Sequence, residues 1–230
     1  MKALAIDTSN LVMGIAVLDG EKVIGEYITN LKKNHSVRVM PAIHDVMKEA
    51  NVKPAELDRI IAAKGPGSYT GVRIGVTIAK TMAWTLKKEL VGVSSLEVVA
   101  QNGKYFGGYV CPLFDARRTQ LYTGLYGKKD GQFQAVKEDR LVLRDNWLSE
   151  LKKLDQPVLF LGNDLDMHKE RIFEELGDQA VFGGIADHNP RPSELGRIGV
   201  EREPEPVHHF VPSYLQLAEA EANWLAAQKK

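Results

Sequence analysis

The residue types that could do chemistry are few in this sequence and poorly spaced for it. Six histidines, His35, His44, His168, His188, His208 and His209, include no pair at the i, i+4 spacing that lays two imidazoles on one helix face. His208 and His209 are adjacent and would point to opposite sides of a strand. His35 and His44, nine apart, would be misaligned on a helix. Solvent or packing roles are expected for all six, with no metal and no cofactor. The single cysteine, Cys111, lies in an apolar run, where a thiol is core far more often than nucleophile. Ser68, in Gly65-Pro66-Gly67-Ser68-Tyr69-Thr70-Gly71, falls between a strand and a helix but lacks the Gly-x-Ser-x-Gly spacing of a serine elbow. It suits a helix cap, and the same glycine-rich turn could bind an anion.

Composition narrows the classes further. Lys plus Arg and Asp plus Glu are both 30 of the 230 residues. Without a basic excess the chain is a poor platform for RNA phosphates, so nucleic acid is expected only through a complex. The 44% hydrophobic content supports a proper core. One cysteine permits no intrachain disulfide, which suits a reducing compartment. The Asp7 carboxylate arrives too early for a signal segment, and no apolar run approaches a membrane span. A cytoplasmic protein is expected, with no membrane partner.

The elements that must position these residues read as an α/β chain. A strand over 3–6 ends at Asp7-Thr8-Ser9-Asn10, and runs at 13–18 and 22–28 form a hairpin around Asp19-Gly20. Ser36 is expected to cap a helix reaching Ala50, with Val39, Met40, Ile43, Val46, Met47 and Ala50 on one side. Pro41 predicts a kink or a later start. A buried strand over 59–63, the Gly65–Ser68 break, a helix from Thr70 to Leu86, a strand over 90–93 and a helix over 96–103 complete a first lobe, residues 1–106. The pattern then restarts in a second, more divergent lobe, residues 107–230. A strand over 110–114 ends at Asp115, and runs at 120–126 and 132–137 flank a second Asp-Gly turn. Helices near 145–153, 165–176, 193–200 and 213–228 and a strand over 157–161 are expected to finish this lobe, with 183–192 and 203–206 as loops.

A duplicated unit of this kind resembles the actin, sugar-kinase and Hsp70 superfamily, whose two lobes are each ribonuclease-H-like. That resemblance implies a cleft in which Asp7 and Asp115 face Mg-nucleotide phosphates, with Ser9 and Arg117 beside them. Thr8-Ser9 suits close backbone approach to an anion. Ala116-Arg117-Arg118 suits it less, although two cations could grip an anion directly. These residues form a candidate nucleotide cleft, vestigial unless the chain turns over ATP.

The long helix carries the sharper signal. Gly71, Gly75, Ala79 and Ala83 recur every four residues and leave one stripe nearly bare, while Val72, Ile74, Val76, Ile78, Met82, Trp84 and Leu86 cover most of the rest. A helix apolar all round must be buried all round, and its own lobe can cover one side only. Two interior glycines cost roughly 1 kcal/mol each, so tight packing must compensate. Contact with another chain is expected along the bare stripe, with helix 36–50 as its neighbour; burial between the two lobes is the internal alternative.

Six strings then extend the resemblance along nearly the whole chain: Leu-Ala-Ile-Asp-Thr-Ser (4–9), His-Ser-Val-Arg-Val-Met-Pro (35–41), Gly-Pro-Gly-Ser-Tyr-Thr-Gly-Val-Arg-Ile-Gly (65–75), Gly-Val-Ser-Ser-Leu-Glu (92–97), Asp-Ala-Arg-Arg (115–118) and Pro-Ser-Tyr-Leu (212–215). Together they closely resemble the TsaB, or YeaZ, family. The resemblance implies a non-catalytic subunit in threonylcarbamoyl modification of the tRNA adenosine beside the anticodon, for codons starting with A. Ser95 and Val99 stand where the related TsaD transferase carries its metal-binding His-x-x-x-His. The implied partners are a TsaD-type transferase, a TsaE-type ATPase and, when the chain is alone, a second copy. The implied interface lies on helices 36–50 and 70–86, through Val39, Met40, Ile43, Met47, Gly71, Val72, Gly75, Val76, Ala79, Met82 and Ala83. Gly75→Leu or Ala79→Glu is accordingly expected to break the complex and spare the fold. Gln216 stands where many relatives have Arg. The rival readings are an ATP-dependent phosphotransferase using Asp7 and Asp115, a metallopeptidase, and a self-contained homodimer.

Overall fold

Alternating side chains on either side of Asp19-Gly20 fold β2 (Val12–Asp19) against β3 (Lys22–Asn30), with Gly20 at φ +59° closing the turn. The structure, a computed structural model, describes residues 1–216. β1 (Lys2–Asp7) pairs antiparallel with β2 and parallel with β4 (Arg59–Ala63), which pairs parallel with β5 (Glu89–Val93). The first sheet therefore runs β3-β2-β1-β4-β5. The second is built from β6 (Tyr109–Asp115), β7 (Gln120–Lys129), β8 (Gln132–Leu143), β9 (Val158–Leu161) and β10 (Ala180–Phe182), in the order β10-β9-β6-β7-β8. Strand for strand this is the first sheet again, so the repeat seen in sequence over 3–28 and 110–137 extends to a whole five-stranded sheet.

Two strands exceed what the sequence pattern offers. β8 continues past Lys137 to Leu143, and three-residue β10 is too short to show a periodicity. The expected loop over 183–192 holds a single 3-10 turn, Ile185–His188. Of the expected helix 213–228, residues 213–216 are not helical, and the remainder lies outside the described residues.

Helices α1 (Val39–Glu49) and α2 (Tyr69–Leu86) cover one face of the first sheet. Val39, Ile43, Met47, Val72, Val76, Ala79 and Ala83 join Leu4, Ile6, Ile15 and Ile60 in one core. Ser36 does not cap α1. Asn34 Oδ1 accepts from Ser36 N and starts a 3-10 turn over 35–37, and α1 begins at Val39. Pro41 thus falls in the first turn, where its missing N–H leaves no helical bond unmade, and a later start replaces the kink.

Two helices cross between the halves. α3 (Ser95–Ala100) follows β5, yet Leu96, Val99 and Ala100 pack with Val110, Phe114, Tyr126 and Leu161 of the second sheet. α6 (Pro192–Glu201), which the sequence places in the second lobe, lies instead on the first sheet. Its Leu195 and Ile198 pack against Ala5, Ala16, Leu18 and Ile61 on the face opposite α1 and α2. An amphipathic helix declares that it must be covered, not which of two similar sheets covers it. α4 (Arg144–Leu151) and α5 (Lys169–Leu176) cover the second sheet through Trp147, Leu148, Leu151 and Ile172.

α2 also corrects the reading of its bare stripe. Gly71, Gly75, Ala79 and Ala83 face the protein's own first sheet and are buried. A Cβ on Gly71 would lie 2.2 Å from the Thr8 carbonyl oxygen, and one on Gly75 would lie 2.6 Å from Thr8 Oγ1. The close approach that the glycines permit is intramolecular. Gly71→Ala should therefore cost about 1–3 kcal/mol of stability, as overpacking does, and Gly75→Leu at least as much. Thr77→Ala on the opposite, exposed face should stay within about 0.5 kcal/mol of wild type. Urea unfolding monitored by circular dichroism measures all three. Equal stability of Gly71→Ala and wild type would refute the tight seat on Thr8.

Candidate functional site

The two motifs that carry most of the sequence signal, Asp7-Thr8-Ser9 and Gly65–Gly75, form one construction. Gly65 turns the chain at φ +102°, a backbone region that side-chain-bearing residues rarely adopt. Ser68 Oγ then accepts from Gly71 N at 3.3 Å and caps α2. Ser68 N donates to Ser9 O at 2.7 Å, and Thr8 Oγ1 donates to Gly71 O at 2.7 Å. Asp7 Oδ1 accepts from Ser9 N at 2.8 Å and Ser9 Oγ at 2.7 Å, whereas Oδ2 has no partner. The polar groups that could have reached a phosphate are spent on holding β1 to α2.

The matching turn in the second half is likewise occupied by its own chain. Asp115 N donates to Asp164 Oδ2 at 3.0 Å, and Asp115 Oδ2 accepts from Arg117 N at 3.2 Å. His168 Nε2 lies 3.2 Å from Asp115 Oδ1, and burial holds the imidazole pKa down against that carboxylate's pull. Arg117, Arg118 and Thr119 all take positive φ, at 64°, 50° and 58°. His168 is thus a buried neighbour of Asp115; His208 and His209 sit exposed in a 3-10 turn, Val207–His209, rather than in a strand. Ser95 and Val99 are fully buried, and Ser95 Oγ accepts from Gly65 N at 3.1 Å. Among the described residues no group of three or more His, Cys, Asp or Glu is placed to hold a metal ion.

Of the eleven residues expected at a partner interface, Met40 is exposed at 47% and Met82 is half-buried; the other nine lie under α1 and α2 in the core. The outward strip of α2 is instead Thr70, Arg73, Thr77, Thr81 and Trp84. This strip was visible in the sequence as a run at i, i+3, i+4 spacing opposite the small residues, although counting apolar residues alone hides it. Its first part, Thr70, Arg73 and Thr77, lines a groove of about 490 Å³ together with Ser36, Tyr69, Ile74 and Ile78. Arg73 Nη1 donates to Tyr69 OH at 2.6 Å, and the Tyr69 ring stacks on Tyr214 with centroids 5.2 Å apart. Gln216 Oε1 accepts from Tyr122 OH at 3.1 Å.

Two ribonuclease-H-like lobes of the same strand order, with an acidic turn at the end of each first strand, define a protein of the actin, sugar-kinase and Hsp70 architecture. The family model described as TsaD, tRNA N6-adenosine threonylcarbamoyltransferase, matches residues 22–224. The chain is 55% identical over 229 residues, 100% of each chain, to the tRNA threonylcarbamoyladenosine biosynthesis protein TsaB of Bacillus subtilis (strain 168). Among solved structures, YeaZ from Pseudomonas aeruginosa superposes with a TM-score of 0.76 at 23% identity, covering 93% of this chain and 99% of that one. A ROK hexokinase from Thermus thermophilus gives 0.51 at 12% identity, covering 87% and 100%, a likeness of fold alone. The chain belongs to the TsaB family.

Asp7 supplies a test of this electrostatic arrangement. Its complete burial raises the carboxyl pKa, against the lowering effect of the Ser9 hydrogen bonds and of His35. A carboxyl with a raised folded-state pKa contributes stability that is full below its unfolded pKa and is lost as pH rises through the folded value. Asp7→Asn keeps an acceptor for Ser9 and removes the buried charge. The variant should melt above wild type at pH 7, with the difference vanishing in acid below about pH 3.9. Thermal melts across pH check this, and a gap that does not close in acid would contradict it.

Proposed function

We propose that this chain is the non-catalytic subunit that binds and activates a TsaD-type transferase in the biosynthesis of tRNA threonylcarbamoyladenosine. The modified nucleoside is the adenosine beside the anticodon in tRNAs reading codons that start with A. A TsaE-type ATPase joins the pair, tRNA is met only through the complex, and the work is cytoplasmic. No helix among the described residues is long and apolar enough to cross a membrane, which is compatible with that setting. Alone, the chain pairs with a second copy through the face that the transferase otherwise takes. The first lobe, residues 1–106, is the partner-binding half.

The observation that carries this reading is where the polar chemistry goes. The Thr8 hydroxyl, the Ser9 carbonyl and the Ser68 N–H join β1 to α2 while the Ser9 hydroxyl is held by Asp7, and Ser95 and Val99 are buried packing residues. The groove on α2 stays open, with apolar Ile74 and Ile78 flanked by Arg73 and Thr77. Such a surface supports docking of another protein far better than turnover of a small substrate. The interface is therefore assigned to the outer strip, with Met40 the one exposed member of the face first expected.

Thr77→Glu and Met40→Glu place charges at exposed positions, so both variants should fold with unchanged melting temperatures. Each should lose co-purification with a co-expressed TsaD-type partner. Cells relying on the variants should lack threonylcarbamoyladenosine in digested tRNA, measured by liquid chromatography. Retention of the complex by both variants would move the interface elsewhere. Submicromolar binding of Mg-ATP by the isolated chain would favour a phosphotransferase instead.

A further inference from the structure

A cavity of about 320 Å³ lies between the two halves, a volume within the range of small-ligand sites. The Gly65-Pro66 turn, Ser94 and Glu97 at the start of α3, Tyr126 of β7, Asp139 of β8 and Arg202 beyond α6 converge on it. Its charges do not balance. Glu97 takes Arg202 Nη2 on both carboxylate oxygens, at 2.7 and 2.5 Å, and Lys64 is bound to Glu205 at 2.7 Å. Asp139 receives only hydroxyls: Ser94 Oγ donates to Oδ2, and Tyr126 OH donates to Oδ1 at 2.6 Å. Glu138, also on the lining, makes no ion pair among the described residues.

The position of Asp139 is built into the sheet. β7 and β8 shift register between Thr123 and Leu125 and again between Leu125 and Tyr126. Irregularities of this kind re-aim a side chain beside a site. A Cβ on Gly124 would come within 2.8 Å of Asp139 Oδ1, so glycine there leaves the carboxylate its place. Burial raises the pKa of Asp139, and Glu97, itself raised by burial, feels Asp139 as a like charge. Each Asp139 oxygen accepts one hydrogen bond and keeps a spare lone pair. Arg202 acts on Asp139 only through space, its hydrogen bonds going to Glu97. A desolvated carboxylate without a hydrogen-bonded cation is costly, and a positive group entering the cavity would reduce that cost.

The surplus of negative charge disfavours a phosphate-bearing molecule, and no three-ligand metal cluster exists among the described residues. We propose that this cavity binds a small organic cation, a primary ammonium or a guanidinium, which docks on the free acceptor positions of Asp139. Arg202 and Ser94 hold the walls that frame it, and Glu138 adds attraction at the lining.

The full chain titrated calorimetrically with agmatine and with n-butylammonium tests the site, with butyrate as the anionic counterpart. Saturable binding of an amine is expected, with none for butyrate and affinity at least ~10-fold weaker in Asp139→Asn. Glu138→Gln, at an exposed position, should weaken binding by a smaller factor and decides the matter if Asp139→Asn fails to fold. The proposal is overturned by no saturable binding of either amine, by equal affinity in the folded Asp139→Asn variant, or by unchanged affinity in Glu138→Gln when it alone folds. Binding of Mg²⁺ that depends on Asp139, with the amines inert, also overturns it.

Discussion

The seat of α2 on the Thr8-Ser9 turn is the contact on which the rest of this structure depends. Two hydrogen bonds of 2.7 Å, Thr8 Oγ1 to Gly71 O and Ser68 N to Ser9 O, join the end of β1 to the start of the helix. They form only because Gly71 and Gly75 leave no side chain between helix and turn. Helix propensity argues against those glycines by roughly 1 kcal/mol each, and packing density with two buried hydrogen bonds offsets it. The rotation of α2 follows at once. With 71, 75, 79 and 83 turned inward, residues 73, 77, 81 and 84 must face outward on a helix of 3.6 residues per turn. The outer groove is therefore set by an inner contact it never touches.

That geometry explains what the sequence could and could not tell. The hairpins, the Ser68 cap, the duplicated lobe and the burial of Cys111 are local or periodic facts, and each is visible in residue types and spacing. The bare stripe on α2 was legible as a demand for close approach, but its counterpart is a backbone carbonyl, Thr8 O, which has no signature in the sequence. Thr70, Thr77 and Thr81, whose methyl groups blend with the apolar residues around them, carry the hydroxyls that mark the exposed strip. Asp139 has no sequence signature for a related reason. Its neighbours Ser94, Tyr126 and Gly124 come from a helix cap and a bulged strand, and only the fold brings them together.

The carboxylates of the molecule divide by how they are answered. Asp115 accepts the Arg117 backbone N–H beside a buried imidazole, and Glu97 accepts an arginine. Asp7 is fully enclosed, with two bonds from Ser9 on one oxygen and none on the other. Its cost is borne by the fold, and its seclusion leaves no path for a ligand. Asp139 is held by hydroxyls alone at the wall of a cavity. Burial without access makes a structural group; the same charge deficit beside open volume makes a site.

The exchange of α3 and α6 adds the last constraint. Each helix emerges from one half and covers the sheet of the other, α3 through Leu96 and Val99, α6 through Leu195 and Ile198. Drawing the halves apart would expose Leu96 and Val99, each worth about 1.5–3 kcal/mol when fully buried. The strap beyond α6 fastens that helix to the first half: Glu205 N donates to Leu90 O at 2.8 Å, Ser213 N donates to Lys64 O at 2.7 Å, and Phe210 is buried in the first core. Separation of the halves is thus opposed by α3, whose apolar face is covered by the second sheet, while α6 and the strap stay with the first. The outer strip of α2, anchored through Thr8 to the middle strand of the first sheet, keeps a fixed position on that frame.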